Sequence, residues 1–148
     1  MSMTKIHPLA ELYECDETAW LEAMAQLSAE HRFAEMDHVH LTEYLADMAK
    51  RDRRETYSRL VVLLTHLLKW EHQVQQRGSS WLGTIVEQRR ELRQLVESKT
   101  LRLHAETVMA DAYEDARKQA AAETSLPKST FASRCPWNLD DVLADEDA

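Results

Sequence analysis

Three side chains on one predicted helix have types and spacing that could hold a metal ion. His40, Glu43 and Asp47 follow the i, i+3, i+7 pattern that places residues on one helix face. Imidazole and carboxylate groups are common ligands of zinc and iron, and His66 can be considered as a fourth ligand. The pattern lacks the Glu-x-x-His pairs of carboxylate-bridged metal bundles, and seven histidines make one coincidence unsurprising. A solvated polar face is therefore favoured, and we predict neither a bound metal nor another cofactor.

The clearest anomaly in the sequence is the charge of Arg89. Ile85, Leu92 and Val96 mark the apolar stripe of a predicted helix, and Arg89 falls inside this stripe. A guanidinium group that is removed from water is costly unless hydrogen-bond acceptors meet it. Glu71 lies within the apolar arc of the preceding helix, so an ion pair between these two residues would explain both positions.

Two interpretations of Arg89 stay open. In the structural one, a carboxylate or a set of backbone carbonyls accepts its hydrogen bonds, with Glu71, Glu43 and Asp47 as candidates in that order. In the functional one, Arg89 anchors an anion-binding or catalytic site together with Glu43 and His66. The sequence favours the structural interpretation. An open pocket at Arg89 without an acceptor would favour the anion site instead.

Other kinds of catalytic chemistry have little support in the sequence. Cys15 and Cys135 lie in no helix-start or histidine-paired context, and a chain with two glycines has no glycine-rich phosphate loop. No aromatic residue interleaves with the basic run at 50–54, as nucleic-acid stacking would require. We therefore predict no catalytic residue, and a non-enzymatic role is favoured over an enzymatic one.

Charge is distributed unevenly along the 148 residues, whose net charge is −8. Residues 1–49 carry −8, residues 50–93 carry +5 and residues 94–148 carry −5. We expect the basic middle to complement the acidic flanks, because overall acidity opposes non-specific nucleic-acid binding. The N-terminus has no apolar run and the longest apolar block is too short to span a bilayer, so a cytoplasmic location without a membrane is expected.

The pattern of apolar residues predicts an all-α fold. Two glycines and three prolines are too few for the many turns of a β-protein. Between Tyr57 and Val74, apolar residues fill about half of the helical circumference, which predicts a central helix at about 53–75 with partners on several sides. We predict a compact bundle of five to six helices around it, in one domain over 3–145. Residues 1–12 and 144–148 are expected to be irregular or frayed.

Capping residues give the boundaries of the first helices. Asp16 should cap a helix over about 17–30, and Asp37 should cap a second helix. Asp52 begins a capping-box pattern that could start the central helix afresh, although nothing forbids a continuous helix through Lys50.

The second half of the chain has its own boundary signals. Gly78 is expected to end the central helix in a left-handed conformation, before a helix at about 81–97. Ser98 or Thr100 should start the next helix, and Asn138 should cap a short last one. The helix from residue 98 to about 122 has a face of small residues, made of Ala105, Ala112, Ala116 and Ala120, which permits close helix packing.

Several motifs, taken in order, point to a family. They are LTEYLADM at 41–48, SRLVVLLTHLLKW at 58–70, SW…EQR at 80–89, AYEDAR at 112–117 and ETSLPKSTF…CPW at 123–137. The chain resembles the bacterial domain-of-unknown-function family twenty-nine over roughly residues 10–145. The resemblance implies a compact, all-α, intracellular bacterial protein and implies no activity. Ala49 departs from the family pattern, which has glycine there, and this weakens the expected break before the central helix.

The sequence therefore favours a non-enzymatic binding or regulatory protein. We expect it to act through a protein partner or through self-association, without nucleic acid. The alternative is an enzyme or anion-binding protein whose polar site is built on Arg89, Glu43 and His66. The two differ in whether these side chains converge on an open pocket or are used up in closed pairs.

Overall fold

The computed structural model describes residues 8–145, and all the regular structure in that range is helical. Its six α-helices are α1 (Pro8–Cys15), α2 (Glu17–Ala29), α3 (His38–His72), α4 (Ser79–Leu95), α5 (Lys99–Thr124) and α6 (Leu139–Leu143). Short 3-10 turns occur at Phe33–Glu35, Val74–Gln76 and Lys128–Thr130. The prediction of an all-α fold around a central hydrophobic helix is confirmed.

The chain divides into two compact units, Met1–Lys50 and Arg51–Ala148, which are described separately. The prediction of a single domain over 3–145 stays a prediction. The expected irregular ends at 1–7 and 146–148 lie outside the described residues. From Pro8 onward the chain is helical, so the expectation of an irregular segment up to residue 12 is corrected. Proline suits the first turn of a helix because that turn leaves its N–H groups unpaired in any case.

The first unit is organised around α2. Asp16 caps this helix as predicted, and its side chain accepts a hydrogen bond of 3.1 Å from the Ala19 N–H. Trp20 and Met24 form the buried face that the sequence indicates, and Leu27 of the same face is half-buried. Asp37 stands just before α3, where its side chain accepts from the His40 N–H at 3.4 Å.

The central helix is longer than the predicted 53–75, because α3 begins at His38 and runs without a break to His72. No glycine or proline lies between these ends, and the segment around Lys50 consists mainly of good helix formers. The capping-box pattern at Asp52 does not start a helix. Its carbonyl oxygen instead accepts from the Thr56 hydroxyl one turn later, at 2.8 Å.

The end of α3 differs from the prediction. Gly78 has a φ of −151°, which is extended backbone, so it is not a left-handed stop. The chain leaves α3 through the Val74–Gln76 turn, and the Arg77 side chain donates from Nε to the Trp70 carbonyl oxygen at 2.6 Å. A side chain thus satisfies a carbonyl that the helix end leaves unpaired, and no left-handed residue is needed.

The second unit has a core made by the later part of α3, by α4 and α5, and by the C-terminal segment. The leucines of α3 at the centre of this core are Leu60, Leu63, Leu64 and Leu68. The predicted small-residue face of α5 is fully buried against it, at Ala105, Ala112, Ala116 and Ala120. Alanine at these spacings lets other side chains approach the helix backbone closely, which explains how a fourth layer, α6, fits over the same core.

Polar contacts also join α3 to α4 and α5. Arg59 donates from Nη1 to Gln88 Oε1 on α4 at 3.3 Å, and the Tyr57 hydroxyl donates a hydrogen bond to the carboxylate of Asp115 on α5. This hydrogen bond, with burial, raises the pKa of Tyr57 to about 12. Buried Lys69 lies 3.6 Å from a Glu123 oxygen. The central helix is therefore held by its apolar arc and by hydrogen bonds at both borders of that arc.

Caps in the last third of the chain follow the sequence. Ser98 caps α5 and accepts from the Leu101 N–H at 3.3 Å. Asn138 and Asp141 form a reciprocal capping box at the start of α6. Between these helices, the Tyr113 hydroxyl donates to the Ala132 carbonyl oxygen at 2.6 Å, which fixes the irregular segment against α5.

Truncating a core leucine of α3 should be strongly destabilising. Leu64 is 0% exposed, and Leu64→Ala should lower the free energy of unfolding by about 2–5 kcal/mol, because it leaves a cavity. Leu103→Ala is the matched control, since that leucine on α5 is 65% exposed and its loss should change stability by about 0.5 kcal/mol or less. Urea unfolding followed by circular dichroism measures both. Equal losses for the two variants would contradict the assigned core.

Candidate functional site

The side chain of Arg89 is buried on α4, as its position within the apolar stripe predicts. It is 8% exposed, and its Nε donates to the carbonyl oxygen of Val142 on α6 at 2.9 Å. The predicted acceptor is thus a backbone carbonyl. Within residues 51–145, no carboxylate oxygen lies within 4.0 Å of the Arg89 nitrogens, so the ion pair with Glu71 does not form there.

Arg89 nevertheless shares a cavity with Glu71. This cavity has a volume of about 520 Å³ and is bordered by the end of α3, by α4 and by the segment that contains α6. Its lining residues are Leu67, Trp70, Glu71, Arg77, Arg89, Trp137, Asp141 and Ala144. We call it the Arg89 cavity. Its walls combine two indole rings with two basic and two acidic side chains.

The two arginines of this cavity differ in their burial and in their surroundings. Arg77 lies over the Trp70 ring, with its guanidinium carbon 4.8 Å from the ring centre, and its Nε is bound to the Trp70 carbonyl. Each arginine uses its Nε for a backbone carbonyl, and no described residue accepts a hydrogen bond from the Nη groups of either one. Arg77 is exposed whereas Arg89 is buried, so the Arg89 Nη groups are the strongest binding feature of the cavity.

The acidic residues of the cavity are more open to water. Glu71 is exposed and has no ion pair with any residue of the described second unit. Asp141 is also exposed, and one of its oxygens accepts from the Asn138 N–H at 2.9 Å in the capping box. The charged lining of the cavity thus consists of two exposed carboxylates, exposed Arg77 and buried Arg89.

A second arginine of α4 helps to position the far wall of the cavity. Arg93, one turn after Arg89, donates from Nε to the Leu143 carbonyl oxygen at 2.9 Å and pairs with Asp145 at 2.8 Å. The hydrogen bond from Arg93 lowers the pKa of Asp145. Arg89 and Arg93 together satisfy carbonyls at the end of α6, where the helix dipole favours positive charge.

Sequence reasoning found Arg89 and Glu71 but missed Arg77, Trp70, Trp137 and Asp141. The available signal was the position of both tryptophans in the motifs HLLKW and CPW. Nothing in the sequence indicates that these two motifs, far apart along the chain, line the same cavity.

His40 lies in the first unit and is held by structural contacts. Its Nδ1 is 2.7 Å from Oδ2 of buried Asp37, which also accepts from the Trp20 indole N–H at 3.2 Å. The Tyr13 ring stacks on the imidazole with centres 4.4 Å apart, and Nε2 lies 3.8 Å from Glu14. These contacts tie the start of α3 to α1 and α2.

The other residues of the predicted polar face are exposed. Burial, followed by the negative charges of Glu43, Glu17 and Asp47, raises the pKa of Tyr13, which indicates that this face lies near that ring. His66, in the second unit, has its Nδ1 2.9 Å from the Val62 carbonyl oxygen of its own helix. Within residues 8–145, no group of three or more His, Cys, Asp or Glu side chains is arranged to hold a metal ion.

The profile of the family described as "Domain of unknown function DUF29" matches residues 12–147. This chain belongs to the DUF29 family. The match covers nearly the whole chain, so it includes α2 to α6 and every residue of the Arg89 cavity. The DUF29 chain matches no curated protein and no solved structure. In the part that the structure describes, no helix of this DUF29 protein is long and apolar enough to cross a membrane.

Asp37 should stabilise the first unit in a pH-dependent way. Burial acts to raise its pKa, but the hydrogen bonds from His40 and Trp20 outweigh burial and hold it below the ordinary value of 3.8. The stabilisation is therefore complete above that value and is lost as pH falls through the lower pKa of the folded state. Asp37→Ala should lower the free energy of unfolding by about 1–3 kcal/mol at pH 7, through loss of a cap and of buried hydrogen bonds.

Urea unfolding of the wild type and of Asp37→Ala between pH 7 and about pH 2.5 measures this effect, and the difference should shrink below about pH 4. Asp16→Ala is the control, because Asp16 is an exposed cap and should contribute less. A difference that stays constant over the whole pH range would contradict the role given to the ionised Asp37.

Proposed function

We propose that this DUF29 protein is a non-enzymatic binding protein whose ligand is a small anion held by Arg89. The observation that carries the proposal is a buried arginine, 8% exposed, whose two Nη groups have no acceptor among the described residues. A carboxylate or phosphate oxygen supplies the missing acceptor through charge-assisted hydrogen bonds. A cavity of about 520 Å³ beside Arg89 has the size of ordinary small-molecule sites.

Binding is better supported than catalysis at this site. Among the residues that line the cavity, the carboxyl groups of Glu71 and Asp141 are the types that could serve as a general acid or base, and both are exposed. Enzymes usually bury a carboxyl group to adapt it for acid or base work at neutral pH. His66, which the enzymatic alternative invokes, has its Nδ1 against the Val62 carbonyl and does not line the cavity.

A bacterial cytoplasmic location is part of the proposal. Both cysteines are free thiols, as is usual in a reducing compartment, and the sequence resembles a bacterial family.

Self-association is a second candidate function. It is supported by Leu82 and Val86, two exposed apolar side chains one turn apart on α4. Sedimentation of the wild type and of the Leu82→Ser, Val86→Ser double variant tests it. A dimer that the double variant loses would support a contact between two copies, and a monomeric wild type would exclude it.

The anion site can be tested by titration calorimetry with phenylacetate, acetate and phosphate. Arg89→Met removes the charge but keeps a long apolar stem, and it should weaken binding of the preferred anion about tenfold to a hundredfold, because a hydrogen bond to a charged group contributes about 1.5–3 kcal/mol. Arg90→Met is the matched control, since Arg90 is exposed and does not line the cavity. The Arg90→Met variant should bind the preferred anion with the same affinity as the wild type.

Arg89→Lys is a second variant that tests the proposal if Arg89→Met does not fold. It keeps the charge but not the planar fork, so it should bind more weakly than the wild type and more tightly than Arg89→Met. Circular dichroism checks that each variant is folded. Binding that is unchanged in folded Arg89→Met, or absence of binding of all three anions to the wild type, would overturn the proposal.

A further inference from the structure

We infer that the ligand of the Arg89 cavity is zwitterionic, a small amino acid with an apolar and preferably aromatic side chain. This inference rests on the proposed function and adds the chemical class of the ligand. In the inferred complex, the carboxylate of the ligand accepts from the Arg89 Nη groups, its ammonium group faces the carboxylates of the cavity, and its side chain packs on the indole rings.

The charges that line the cavity favour a zwitterion over a simple anion. Two arginines are balanced by Glu71 and Asp141, so the lining has no net charge. Arg77 is exposed and lies over the Trp70 ring, which leaves Arg89 as the buried cation of the lining, with Nη groups that bind no acceptor among the described residues. A phosphate dianion would find no net positive charge in this lining and would face two carboxylates, which is unfavourable.

An ammonium group on the ligand changes this balance. The carboxylate of the ligand pairs with Arg89, and its ammonium group places a positive charge near Glu71 and Asp141. Both signs of charge in the lining are then matched. Both acids are exposed, so each contributes modestly, in the manner of a surface ion pair screened by water. We therefore expect a zwitterion to bind several-fold more tightly than the corresponding simple anion. The larger part of the affinity comes from Arg89.

The apolar part of the lining indicates the side chain of the ligand. Trp70, Trp137 and Leu67 form this part. Trp137 is held by an edge contact with Tyr113, whose ring centre lies 6.4 Å away, and Tyr113 is fixed in turn by its hydrogen bond to Ala132. Indole rings that are held in place favour an aromatic guest, since ring pairs contribute beyond the area that they bury.

The test compares ligands that differ by one charged group. Calorimetry would measure binding of L-phenylalanine, phenylacetate, phenethylamine and phenyl phosphate to the full chain. L-phenylalanine should bind about twofold to tenfold more tightly than phenylacetate, because two weak, solvent-screened ion pairs are added. Phenethylamine, which lacks the carboxylate, should bind at least tenfold more weakly than L-phenylalanine.

A variant of one acid tests the place of the ammonium group. Glu71→Gln should reduce the preference for L-phenylalanine over phenylacetate about twofold to fivefold, and it should not weaken binding of phenylacetate. Glu87→Gln is the control, because Glu87 is exposed on α4 and does not line the cavity, and it should leave the preference unchanged. L-leucine in place of L-phenylalanine should bind more weakly if the indole rings select an aromatic side chain.

The outcomes separate the two proposals. If phenylacetate or phenyl phosphate binds as tightly as L-phenylalanine and the binding depends on Arg89, the zwitterion inference is wrong and the anion site stands. If none of the four ligands binds and no simple anion binds either, the proposed function fails as well. A preference for L-phenylalanine that Glu71→Gln does not change would overturn the assignment of the ammonium group.

Discussion

The hydrogen bond from Arg89 to the carbonyl of Val142 is the interaction on which the second unit's cavity depends. It joins the middle of α4 to the end of α6, and Arg93 repeats the same kind of contact one turn later at Leu143. A helix of five residues cannot hold its position by its own hydrogen bonds, so these external donors fix it over the core. Because Trp137 and Asp141 flank or belong to α6, the position of the cavity's far wall follows from this contact.

The same hydrogen bond leaves Arg89 only partly satisfied. A backbone carbonyl accepts from Nε and brings no negative charge, in contrast with a carboxylate, which can accept from two nitrogens of the fork at once. The two arginines that line the cavity therefore have different roles. Arg77 is exposed, lies over the Trp70 ring and closes the end of α3, whereas Arg89 is buried and has two Nη groups that bind no acceptor among the described residues. The functional proposal follows from this difference in burial and not from the number of charges.

Particular residues show which features of the structure could be predicted from the sequence. Apolar spacing located the core of α3, the alanine face of α5 and the buried position of Arg89, because each depends on the period of one helix. The acceptor of Arg89 was expected to be a carboxylate, with Glu71 first, or a set of backbone carbonyls. Val142 itself was not named, since it lies 53 residues away on a helix too short to give a clear pattern. Gly78 was misjudged because a side chain, that of Arg77, satisfies the end of α3. The continuity of α3 through Lys50 was left open, because a capping pattern and good helix propensity compete there.

The physical balance at Arg89 gives a reason to look for the function at this position. An apolar side chain of similar length, such as methionine, would fill the same stripe and would avoid the desolvation of a guanidinium group. Replacing buried charges by apolar groups is often neutral or stabilising, so a single hydrogen bond to Val142 gives the fold little need for arginine. Packing does not require this arginine, and its remaining donors lie beside an accessible cavity with no acceptor among the described residues. It is better explained by what enters the cavity. The Arg89 guanidinium group can use its Nη donors fully only when an acceptor occupies the cavity. Binding is therefore the simplest role for the site.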